Sequence, residues 1–323
     1  MKLAQTYQFL KTDLNEIELK LHQIIQADHP VLRKASTQLL EAGGKRIRPV
    51  FVLLSGHFGH YNFNRLLTVA VSLELIHMAT LVHDDVVDDA ALRRGEPTVK
   101  HRYGNRVAMY TGDYMLARAL ENITLLNDPA LHQQLAKTLV EVCVGEIEQI
   151  KYKYHWDQHI RDYLRRIKRK TALLIATSCK LGAIASGASR EDAKNLFKYG
   201  YYIGMSYQII DDILDITESE KTLGKPTASD LLQGNVTLPV LLAMKQPSFK
   251  EMLTETFQNR ESVDPDRFQR LHEMLLATNA VEKSYEWSQL YLQKAINILD
   301  KLPDHEVKQT LHDIASYIGK RKK

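Results

Sequence analysis

The chain has 323 residues, a formal net charge of +4 and only 15 glycines and 9 prolines. A chain of this length can bury a large hydrophobic core, in one large domain or in two. The low glycine and proline content argues against a fold rich in sheets and turns. Because the basic residues do not form one long block, we expect no nucleic-acid partner.

Cysteine usage and the N-terminal residues bear on the compartment. Cys143 and Cys179 lie in apolar helical patterns and match no metal-binding spacing, so both are predicted to be buried free thiols. The first residues lack the apolar run of a signal peptide, and no apolar run is expected to approach the length of a membrane span. We therefore expect a soluble cytoplasmic protein.

In chain order, the first strong pattern is a basic, glycine-containing segment that runs into a buried helix. The segment reads Gly43-Gly44-Lys45-Arg46-Ile47-Arg48-Pro49. Residues 49–54 are apolar nearly all round, as in a helix surrounded by other helices. The next predicted helix ends at a group of aspartates and includes Leu66, Val69, Leu73 and Ile76.

A third helix is predicted to begin at Asp128-Pro129, a favourable cap and first-turn pair. Its apolar stripe consists of Leu131, Leu135, Leu139, Val142, Ile147 and Ile150. Another pattern extends from about residue 163 to residue 185. The basic residues at its start are predicted to form a mostly solvated face: Arg161, Arg165, Arg166, Lys168 and Arg169.

A last long helix is predicted to begin at Ser189-Arg190-Glu191-Asp192, which resembles a capping box, and to end at a second group of aspartates. The residues from Tyr201 to Met205 within it are predicted to lie in the core. No alternating strand pattern persists, and no linker rich in serine and glycine divides the chain. We therefore predict an all-α fold, a single large helical bundle forming one domain over residues 1–323.

The same aspartate pattern occurs twice, each time after an apolar run. The first acidic cluster is Asp84, Asp85 and Asp88, and the second acidic cluster is Asp211, Asp212 and Asp215. On a helix, positions i and i+4 share a face, so two carboxylates of each cluster point the same way. Two unit charges about 5 Å apart repel by roughly 3 kcal/mol at an effective dielectric of 20, so each cluster needs a cation. Oxygen ligands alone favour Mg²⁺.

Cations next to glycine follow each acidic cluster. Arg93-Arg94-Gly95 follows the first, and Gly224-Lys225 follows the second. Acids that bind metal, beside cations that bind phosphate, indicate a site for a metal-complexed polyphosphate. One alternative is a calcium loop of the EF-hand type, but neither cluster has its central glycine or terminal glutamate. A solvated acidic helix end is the other alternative.

These motifs together resemble those of the trans-isoprenyl diphosphate synthases, also called polyprenyl synthetases. The resemblance extends from about residue 30 to the C-terminus. It rests on the segment 43–49, on Glu74-Leu75-Ile76-His77, on the two acidic clusters with their cations, and on Lys170-Thr171 and Tyr207-Gln208. Within that family the pattern is most similar to the large catalytic component of the two-component heptaprenyl diphosphate synthases of Gram-positive bacteria.

The resemblance implies an isoprenoid synthase bundle with a central active-site cavity. It implies an enzyme that adds successive isopentenyl diphosphates to an allylic diphosphate, here farnesyl diphosphate. The expected product is heptaprenyl diphosphate for the menaquinone side chain. The expected partner is a small non-catalytic subunit, otherwise a second copy of the chain. Transient membrane contact is expected to assist product release, since each added isoprene buries about five carbons at roughly 0.8 kcal/mol each.

The resemblance also assigns roles to the acids and to the residues around the allylic diphosphate. Three Mg²⁺ ions are implied, with Asp84 and Asp88 coordinating two and Asp211 the third. Asp85, Asp212 and Asp215 are expected to act through metal-bound water. The leaving diphosphate is expected to be neutralised by Arg93, Lys170 and Lys225. Thr171, Gln208 and the backbone carbonyl of Lys170 are expected to face the carbocation.

The second substrate carries no metal in this family, so cations must bind its diphosphate directly. The residues that match these positions are Lys45, Arg48, His77 and Arg94. The basic C-terminal tail, residues 317–323, resembles a tail that closes over this substrate. A solvated, frayed terminus is the alternative.

Product length is expected to depend on the helix turns just before the first acidic cluster. In short-chain members of the family an aromatic residue at the position of Ala79 or Thr80 blocks the growing tail. Both residues are small here, so the pocket is predicted to continue past Ile76. Small residues that only allow close helix packing are the alternative. One departure from the family pattern is Asn235, which replaces a lysine that usually faces the allylic diphosphate.

Three other functions stay open at this point. The chain could be a self-sufficient homodimeric synthase of another chain length, from geranylgeranyl to octaprenyl. It could be a terpene cyclase, although cyclases usually carry an Asn/Ser/Glu metal motif in place of the second acidic cluster. It could also be a non-catalytic regulatory subunit, although such a subunit would be expected to have lost acids or cations of the site.

Overall fold

The structure is a computed structural model, and it describes residues 8–93, 95–218, 227–260 and 262–321. Those residues form helices almost throughout. Within them, the extended structure is a small antiparallel hairpin of β1 (Leu92–Arg93) and β2 (Glu96–Pro97). The all-α fold predicted from the sequence is confirmed.

The chain divides into two compact units. The first consists of Met1–Thr138, Leu174–Gly200 and Asn297–Ile314. The second consists of Leu139–Leu173, Tyr201–Ile296 and Ala315–Lys323. The single domain predicted over residues 1–323 stays a prediction.

The helices of both units are numbered together along the chain. In chain order they are α1 (Lys11–Ile24), α2 (Pro30–Glu41), α3 (Ile47–Gly56), α4 (Phe63–Val87), α5 (Val99–Tyr103), α6 (Asn105–Ile123), α7 (Pro129–Tyr152), α8 (Ile160–Ile167), α9 (Leu173–Ala185), α10 (Arg190–Thr217), α11 (Ser229–Leu232), α12 (Leu238–Ala243), α13 (Pro247–Thr256), α14 (Pro265–Leu276), α15 (Ala280–Leu299) and α16 (Val307–Gly319). A turn of π-helix, Lys168–Ala172, joins α8 to α9.

Helix α4 forms the core of the first unit. The side chain of Asn62 caps its start by accepting a hydrogen bond from the backbone N–H of Arg65. The apolar residues that the sequence places in this helix, Leu66, Val69, Leu73 and Ile76, are fully buried, whereas Val87 at its end is 50% exposed. The helix is long and apolar enough to cross a membrane, which corrects the expectation that no run approaches that length. Because 67% of its most apolar stretch is buried inside the protein, the apolar residues supply packing within the unit.

Helix α10 starts and ends as the sequence predicts. The backbone N–H of Asp192 donates to the hydroxyl of Ser189 at 3.0 Å, which confirms the predicted cap. In the second unit, Ile203, Met205 and Ile209 are fully buried and pack into its core. The core position predicted for residues 201–205 is therefore confirmed for Ile203 and Met205, whereas Tyr201 and Tyr202 are only half-buried.

Helix α7 differs from the prediction in its second half. Leu131, Leu135 and Val142 are buried, but Ile147 is 67% exposed and Ile150 is 49% exposed. Five residues separate Val142 from Ile147, and at about 100° per residue this places Ile147 roughly 140° away from the buried face. The predicted single stripe is therefore wrong beyond Val142.

The two cysteines also differ from each other. Cys179 is buried, as predicted, but Cys143 is exposed, so the prediction that both are buried is wrong. Cys143 follows Val142 by one residue on α7, which turns it away from the buried face. Both thiols are free.

Candidate active site

The first acidic cluster lies at the C-terminal end of α4. Asp88 is the C-cap residue, and its backbone N–H donates to the carbonyl of Asp84 at 2.8 Å. Asp84 and Asp88 are half-buried, whereas Asp85 is only 2% exposed. Because the C-terminal end of a helix carries partial negative charge, three carboxylates here need nearby cations.

Arg93 supplies a cation to this cluster from the hairpin. Its Nη2 lies 2.7 Å from Oδ1 of Asp85, and its Nε donates to the same oxygen at 2.9 Å. Burial raises the pKa of Asp85, and the hydrogen bond and charge of Arg93 oppose that rise. The sequence predicts that Arg93 faces the leaving diphosphate, whereas the structure places it on Asp85. Its contact with substrate stays a prediction.

Backbone contacts hold the hairpin against the end of α4. The backbone N–H of Ala90 donates to the carbonyl of Asp85 at 2.9 Å, and the hydroxyl of Thr98 donates to the carbonyl of Ala90 at 2.7 Å. Asp89 pairs with Lys100 of α5. These contacts position Arg93. Arg94 lies outside the described residues.

The other predicted ligands of the second substrate lie in the same unit as the first acidic cluster. Lys45 is exposed in the segment before α3, Arg48 is half-buried in the first turn of α3, and His77 is half-buried on α4. His77 precedes Asp84 by seven residues, two helix turns, so both lie on one face of α4.

The predicted chain-length residues lie on α4 before the acidic cluster. Ile76 is fully buried and Ala79 is 2% exposed. Thr80 is half-buried, and its hydroxyl donates to the carbonyl of His77 at 2.7 Å. The role of these three residues in product length stays a prediction.

The second acidic cluster lies on the last turns of α10, in the second unit. Asp211 has an exposed side chain, while Asp212 and Asp215 are 4% and 3% exposed. Asp215 accepts hydrogen bonds from the hydroxyl of Ser229 at 3.0 Å and from the backbone N–H of Asp230 at 3.1 Å. It therefore fixes the start of α11, which follows the segment 219–226 that lies outside the described residues.

Asp212 begins a chain of hydrogen bonds that reaches two predicted catalytic residues. The phenol of Tyr163 donates to Asp212 at 2.7 Å, and the amide of Gln208 donates to it at 2.8 Å. Gln208 in turn accepts from the hydroxyl of Thr171 at 2.6 Å. Burial raises the pKa of Asp212 to about 8, and the charge of Asp230 adds to that rise.

Lys170 and Thr171 lie in the π-helical turn between α8 and α9. The Nζ of Lys170 donates to Gln149 at 3.0 Å and lies 3.6 Å from Glu146, both on α7. In a π turn the backbone N–H bonds to the carbonyl five residues back, as Leu173 does to Lys168. Such turns occur frequently at functional sites, and this one places Thr171 where its hydroxyl reaches Gln208.

Two arginines before this turn differ from the predicted solvated face. Arg166 is 7% exposed, and it donates to Gln158 at 2.8 Å and to the carbonyl of Val236. Arg169 forms ion pairs with Glu141 at 2.9 Å and Glu148 at 2.5 Å. The prediction is therefore wrong for these two residues. A run of basic residues in a helical sequence does not indicate which of them face the interior of the protein.

The C-terminal tail reaches the second acidic cluster. Beyond α16, Arg321 lies with Nη1 at 3.4 Å from Oδ1 of Asp211 and with its guanidinium 5.0 Å from the centre of the Tyr207 ring. Lys322 and Lys323 lie outside the described residues. The predicted closure of this tail over the second substrate stays a prediction.

The resemblance also connects Lys225 and the position of Asn235 with the allylic diphosphate. Lys225 lies outside the described residues. Asn235 is half-buried, and its backbone N–H donates to the carbonyl of Asp230 at 2.8 Å. It follows Gly234, whose φ of 80° requires a residue without a side chain.

Burial divides the six carboxylates into two sets. Asp85, Asp212 and Asp215 are buried and hydrogen-bonded to the protein, whereas Asp84, Asp88 and Asp211 are accessible to solvent. Within the described ranges, no three His, Cys, Asp or Glu side chains are grouped to hold a metal ion by themselves. This fits Mg²⁺, which is usually held by one or two carboxylates together with water and substrate phosphates.

Tyr163 and Arg46 are two residues whose contacts the sequence did not reveal. Tyr163 precedes Lys170 by seven residues, so it lies on the same helical face, and this spacing is the signal that could have pointed to it. Arg46 stands between two predicted substrate ligands, Lys45 and Arg48, but its spacing carries no such signal.

Comparison with known proteins assigns the class. The polyprenyl synthetase family model matches residues 29–275. Component 2 of heptaprenyl diphosphate synthase from Bacillus subtilis is 57% identical over 100% of this chain and 92% of its own length. The crystal structure of heptaprenyl diphosphate synthase from Staphylococcus aureus has a TM-score of 0.93 and 41% identity, covering 97% of this chain and 99% of that one.

A polyprenyl synthase from Caulobacter crescentus, solved with calcium and isoprenyl diphosphate, is similar in structure at 28% identity. Its TM-score is 0.94, and the match covers 100% of this chain and 98% of that one. The helical fold is thus that of the prenyl-transferring enzymes. The chain belongs to the polyprenyl synthetase family, whose members are generally Mg²⁺-dependent.

Proposed function

We propose that this chain condenses farnesyl diphosphate with successive isopentenyl diphosphates to give heptaprenyl diphosphate. In each round the C–O bond to the allylic diphosphate breaks and diphosphate leaves. The double bond of isopentenyl diphosphate then forms a C–C bond to the carbocation, and a proton is lost. The observation that carries the proposal is the set of solvent-accessible carboxylates, Asp84, Asp88 and Asp211, in a chain 57% identical to a heptaprenyl diphosphate synthase component.

The accessible carboxylates are the proposed ligands of three Mg²⁺ ions, with Asp84 and Asp88 holding two and Asp211 the third. Bound Mg²⁺ would neutralise the diphosphate and so favour its departure. The buried carboxylates support this arrangement from within the protein. Asp85 fixes Arg93, Asp212 fixes Gln208, and Asp215 fixes the start of α11.

Thr171, Gln208 and the carbonyl of Lys170 are the proposed groups that face the carbocation. Their oxygens stabilise positive charge through their dipoles but are too weakly basic to capture it. The hydrogen bond of 2.6 Å from Thr171 to Gln208 keeps both side chains in one orientation. Preorganised dipoles of this kind need no rearrangement when charge develops.

The two diphosphates are proposed to have separate sets of cations. Arg93, Lys170 and Lys225 neutralise the leaving diphosphate. Isopentenyl diphosphate binds without metal, through Lys45, Arg48, His77 and Arg94. The absence of a lysine at Asn235 leaves one cation fewer at the allylic diphosphate than the family pattern provides.

We further propose that a small non-catalytic subunit binds to an exposed apolar stripe on α7. The stripe consists of Val140, Val144, Ile147 and Ile150, which are 62%, 40%, 67% and 49% exposed. Their spacing places them along one side of the helix. A contiguous exposed apolar surface of this kind is typical of protein interfaces. A relative named as component 2 supports a partner subunit as the occupant.

Alkylation of Cys143 tests this docking surface. Cys143 is exposed and precedes Ile147 by four residues, so a bound subunit would cover it. Burial raises the pKa of Cys179 to about 12, which keeps that thiol unreactive. We expect one reactive thiol in the chain alone and none with a small subunit. Unchanged labelling of Cys143 in a co-purified complex would contradict the proposed surface.

Ile147→Glu should abolish co-purification with the subunit, because it places a charge in the apolar stripe. Leu290→Glu is the matched control, since Leu290 is 59% exposed on α15 and outside the stripe. If the wild-type chain alone is a dimer and Ile147→Glu makes it monomeric, the result would support a self-sufficient homodimer instead of the proposed heterodimer.

The deciding experiment for the function is product analysis. The purified chain is incubated with farnesyl diphosphate, radiolabelled isopentenyl diphosphate and Mg²⁺, with and without a small subunit. We expect heptaprenyl diphosphate only in the complex, and no product from Asp84→Ala in the same complex. Products of another length from the chain alone would favour a self-sufficient synthase. Wild-type product formation with Asp84→Ala would place catalysis in the partner and make this chain a regulatory subunit.

We propose that the reaction takes place in the cytoplasm and that its product supplies the menaquinone side chain. The long apolar product is expected to leave slowly, with transient membrane contact. Detergent should then raise the steady-state rate without changing the single-turnover rate. Equal effects on both rates would contradict slow release.

A further inference from the structure

The basic segment before α3 contains a residue in an uncommon backbone conformation. Arg46, the residue just before α3, has φ of 46° and ψ of 37°, the left-handed region. Residues other than glycine and asparagine rarely adopt this backbone conformation, because their Cβ atom crowds the neighbouring backbone. Gly43 of the same segment also has a positive φ, 74°, which glycine adopts without strain, whereas surrounding contacts must hold such a conformation at Arg46.

The side chain of Arg46 supplies those contacts. Its Nε and Nη2 donate to the two carboxylate oxygens of Glu18 on α1, each at 2.8 Å. Its Nη1 donates to Glu74 on α4 at 3.2 Å, and Nη2 also reaches the carbonyl of Leu40 near the end of α2 at 3.3 Å. One guanidinium thus joins the segment to three helices of the first unit.

Charge makes this arrangement specific for arginine. The two carboxylates outweigh the effect of burial, so the pKa of Arg46 is raised. Glu74 is only 3% exposed, and its Oε2 has no hydrogen-bond partner within the described structure. The Glu74 carboxylate therefore depends on Arg46 for its counter-charge. A lysine could not form the fork to Glu18 while also reaching Glu74.

The contacts of Arg46 lie beside three proposed ligands of isopentenyl diphosphate. Lys45 directly precedes Arg46, and Arg48 follows it by two residues in the first turn of α3. His77 follows Glu74 by three residues, which places it beside Glu74 on the same side of α4. Movement of Arg46 would therefore disturb both the segment that carries the two cations and the helix turn before the histidine.

We infer that Arg46 is a positioning residue for the metal-free diphosphate site, acting through Glu18 and Glu74. It does not touch substrate. It holds Lys45 and Arg48 at the start of α3 and keeps them in a fixed place relative to His77. The inference rests on the proposed function, because it requires those three residues to bind isopentenyl diphosphate.

Substrate-specific kinetics test the inference. Arg46→Lys and Glu18→Gln, both mild changes, should raise KM for isopentenyl diphosphate about tenfold, as loss of a charge-assisted hydrogen bond at this position would. KM for farnesyl diphosphate and the single-turnover rate at saturating substrates should change by less than about twofold. Arg118→Lys is the matched control, because Arg118 also joins two helices of this unit, donating from α6 to the carbonyl of Ile24 on α1 at 2.9 Å. It should leave both KM values unchanged.

Calorimetric titration of isopentenyl diphosphate without Mg²⁺ measures the same site independently of catalysis. The variants should bind about tenfold more weakly than wild type while circular dichroism shows the wild-type fold. Equal weakening of both substrates, or unchanged binding in folded Arg46→Lys and Glu18→Gln, would overturn the inference. If the wild-type chain binds isopentenyl diphosphate but its complex with the small subunit forms no product, only the proposed reaction fails. If it does not bind, the site and the inference both fail.

Discussion

Arg93 forms an ion pair with Asp85 through two of its nitrogens. Nη2 lies 2.7 Å and Nε lies 2.9 Å from the same carboxylate oxygen. Asp85 is 2% exposed, while the side chain of Arg93 is 29% exposed. The carboxylate of the pair is thus buried, while the guanidinium is more accessible to solvent. Because the acid lies between Asp84 and Asp88, Arg93 also offsets the charge of the cluster around it.

Arg93→Met should lower the free energy of unfolding by about 2 kcal/mol, because it leaves the buried Asp85 carboxylate without its counter-charge. Chemical denaturation measures this loss. Arg102→Met is the matched control, since Arg102 pairs with exposed Glu96 at 3.5 Å and such surface pairs contribute at most about 1 kcal/mol. If Arg93→Met abolishes activity at unchanged stability, Arg93 acts on substrate and its pairing with Asp85 carries little energy.

Tyr163→Phe should reduce the turnover number, while the free energy of unfolding falls only slightly. Loss of the 2.7 Å hydrogen bond to Asp212 costs about 1 kcal/mol and frees Asp212, which orients Gln208. Product formation under saturating substrates measures the turnover number, and denaturation measures stability.

Tyr199→Phe is the matched control for Tyr163→Phe. Tyr199 is equally buried and donates to the carbonyl of Leu311 at 2.7 Å, and Leu311 is not among the predicted catalytic residues. It should show a similar loss of stability with an unchanged turnover number. Equal effects of the two variants on turnover would mean that Tyr163 is only a packing residue.

Two groups of residues show what the sequence can and cannot predict here. The ends of α4 and α10 were predictable, because an apolar run that stops at Asp84 or Asp211 indicates both the helix and the candidate metal ligands at its end. The partners of Asp85, Asp212 and Arg46 were not predictable. Arg93 is close in sequence to Asp85, but Tyr163 is 49 residues from Asp212 and Glu18 is 28 residues from Arg46. Such pairings depend on tertiary packing, which helical periodicity does not specify.

The second half of α7 shows a related limit. Ile147 and Ile150 are apolar residues that lie on the surface, and periodicity alone cannot distinguish a core face from an interface face. The break in spacing between Val142 and Ile147 was visible in the sequence, and it shows that Ile147 and Ile150 belong to a different side of α7 from the buried stripe.

His57 predicts a pH dependence of stability. Burial and the neighbouring charge of His305 lower the pKa of His57 below its ordinary value of 6.5, although Glu306 and Asp13 oppose the shift. Since the unfolded chain then binds the proton more readily, this contribution to stability is present above pH 6.5 and is lost as pH falls through the lower folded pKa. Thermal unfolding between pH 5 and pH 8 should show the wild type losing stability toward the acid side.

His57→Phe should weaken that dependence, because it retains a ring near Tyr61, whose centroid lies 4.3 Å away, but removes the titrating group. His60→Asn is the control, as His60 is exposed. An unchanged slope in His57→Phe would show that other groups cause the pH dependence.

Ala79→Phe should shorten the product to about farnesyl or geranylgeranyl length if the growing chain passes beside this position. Ala79 is 2% exposed on α4, one turn before the first acidic cluster, and Ile76 below it is fully buried. A phenylalanine there meets one of two environments. If a tunnel runs along α4, the ring enters it and blocks the chain, with little loss of stability. If the position is fully packed, the ring overpacks the core and costs about 1–3 kcal/mol.

Measurement of product length by chromatography, together with denaturation of the same variant, distinguishes these two cases. Ile76→Phe provides a graded comparison, because Ile76 lies three residues, nearly a full turn, further from the aspartates and should allow a longer product than Ala79→Phe. Two shortened products in that order, at nearly wild-type stability, would establish the tunnel along α4. Wild-type product length from a destabilised Ala79→Phe would instead show that Ala79 is small because neighbouring helices pack closely against it.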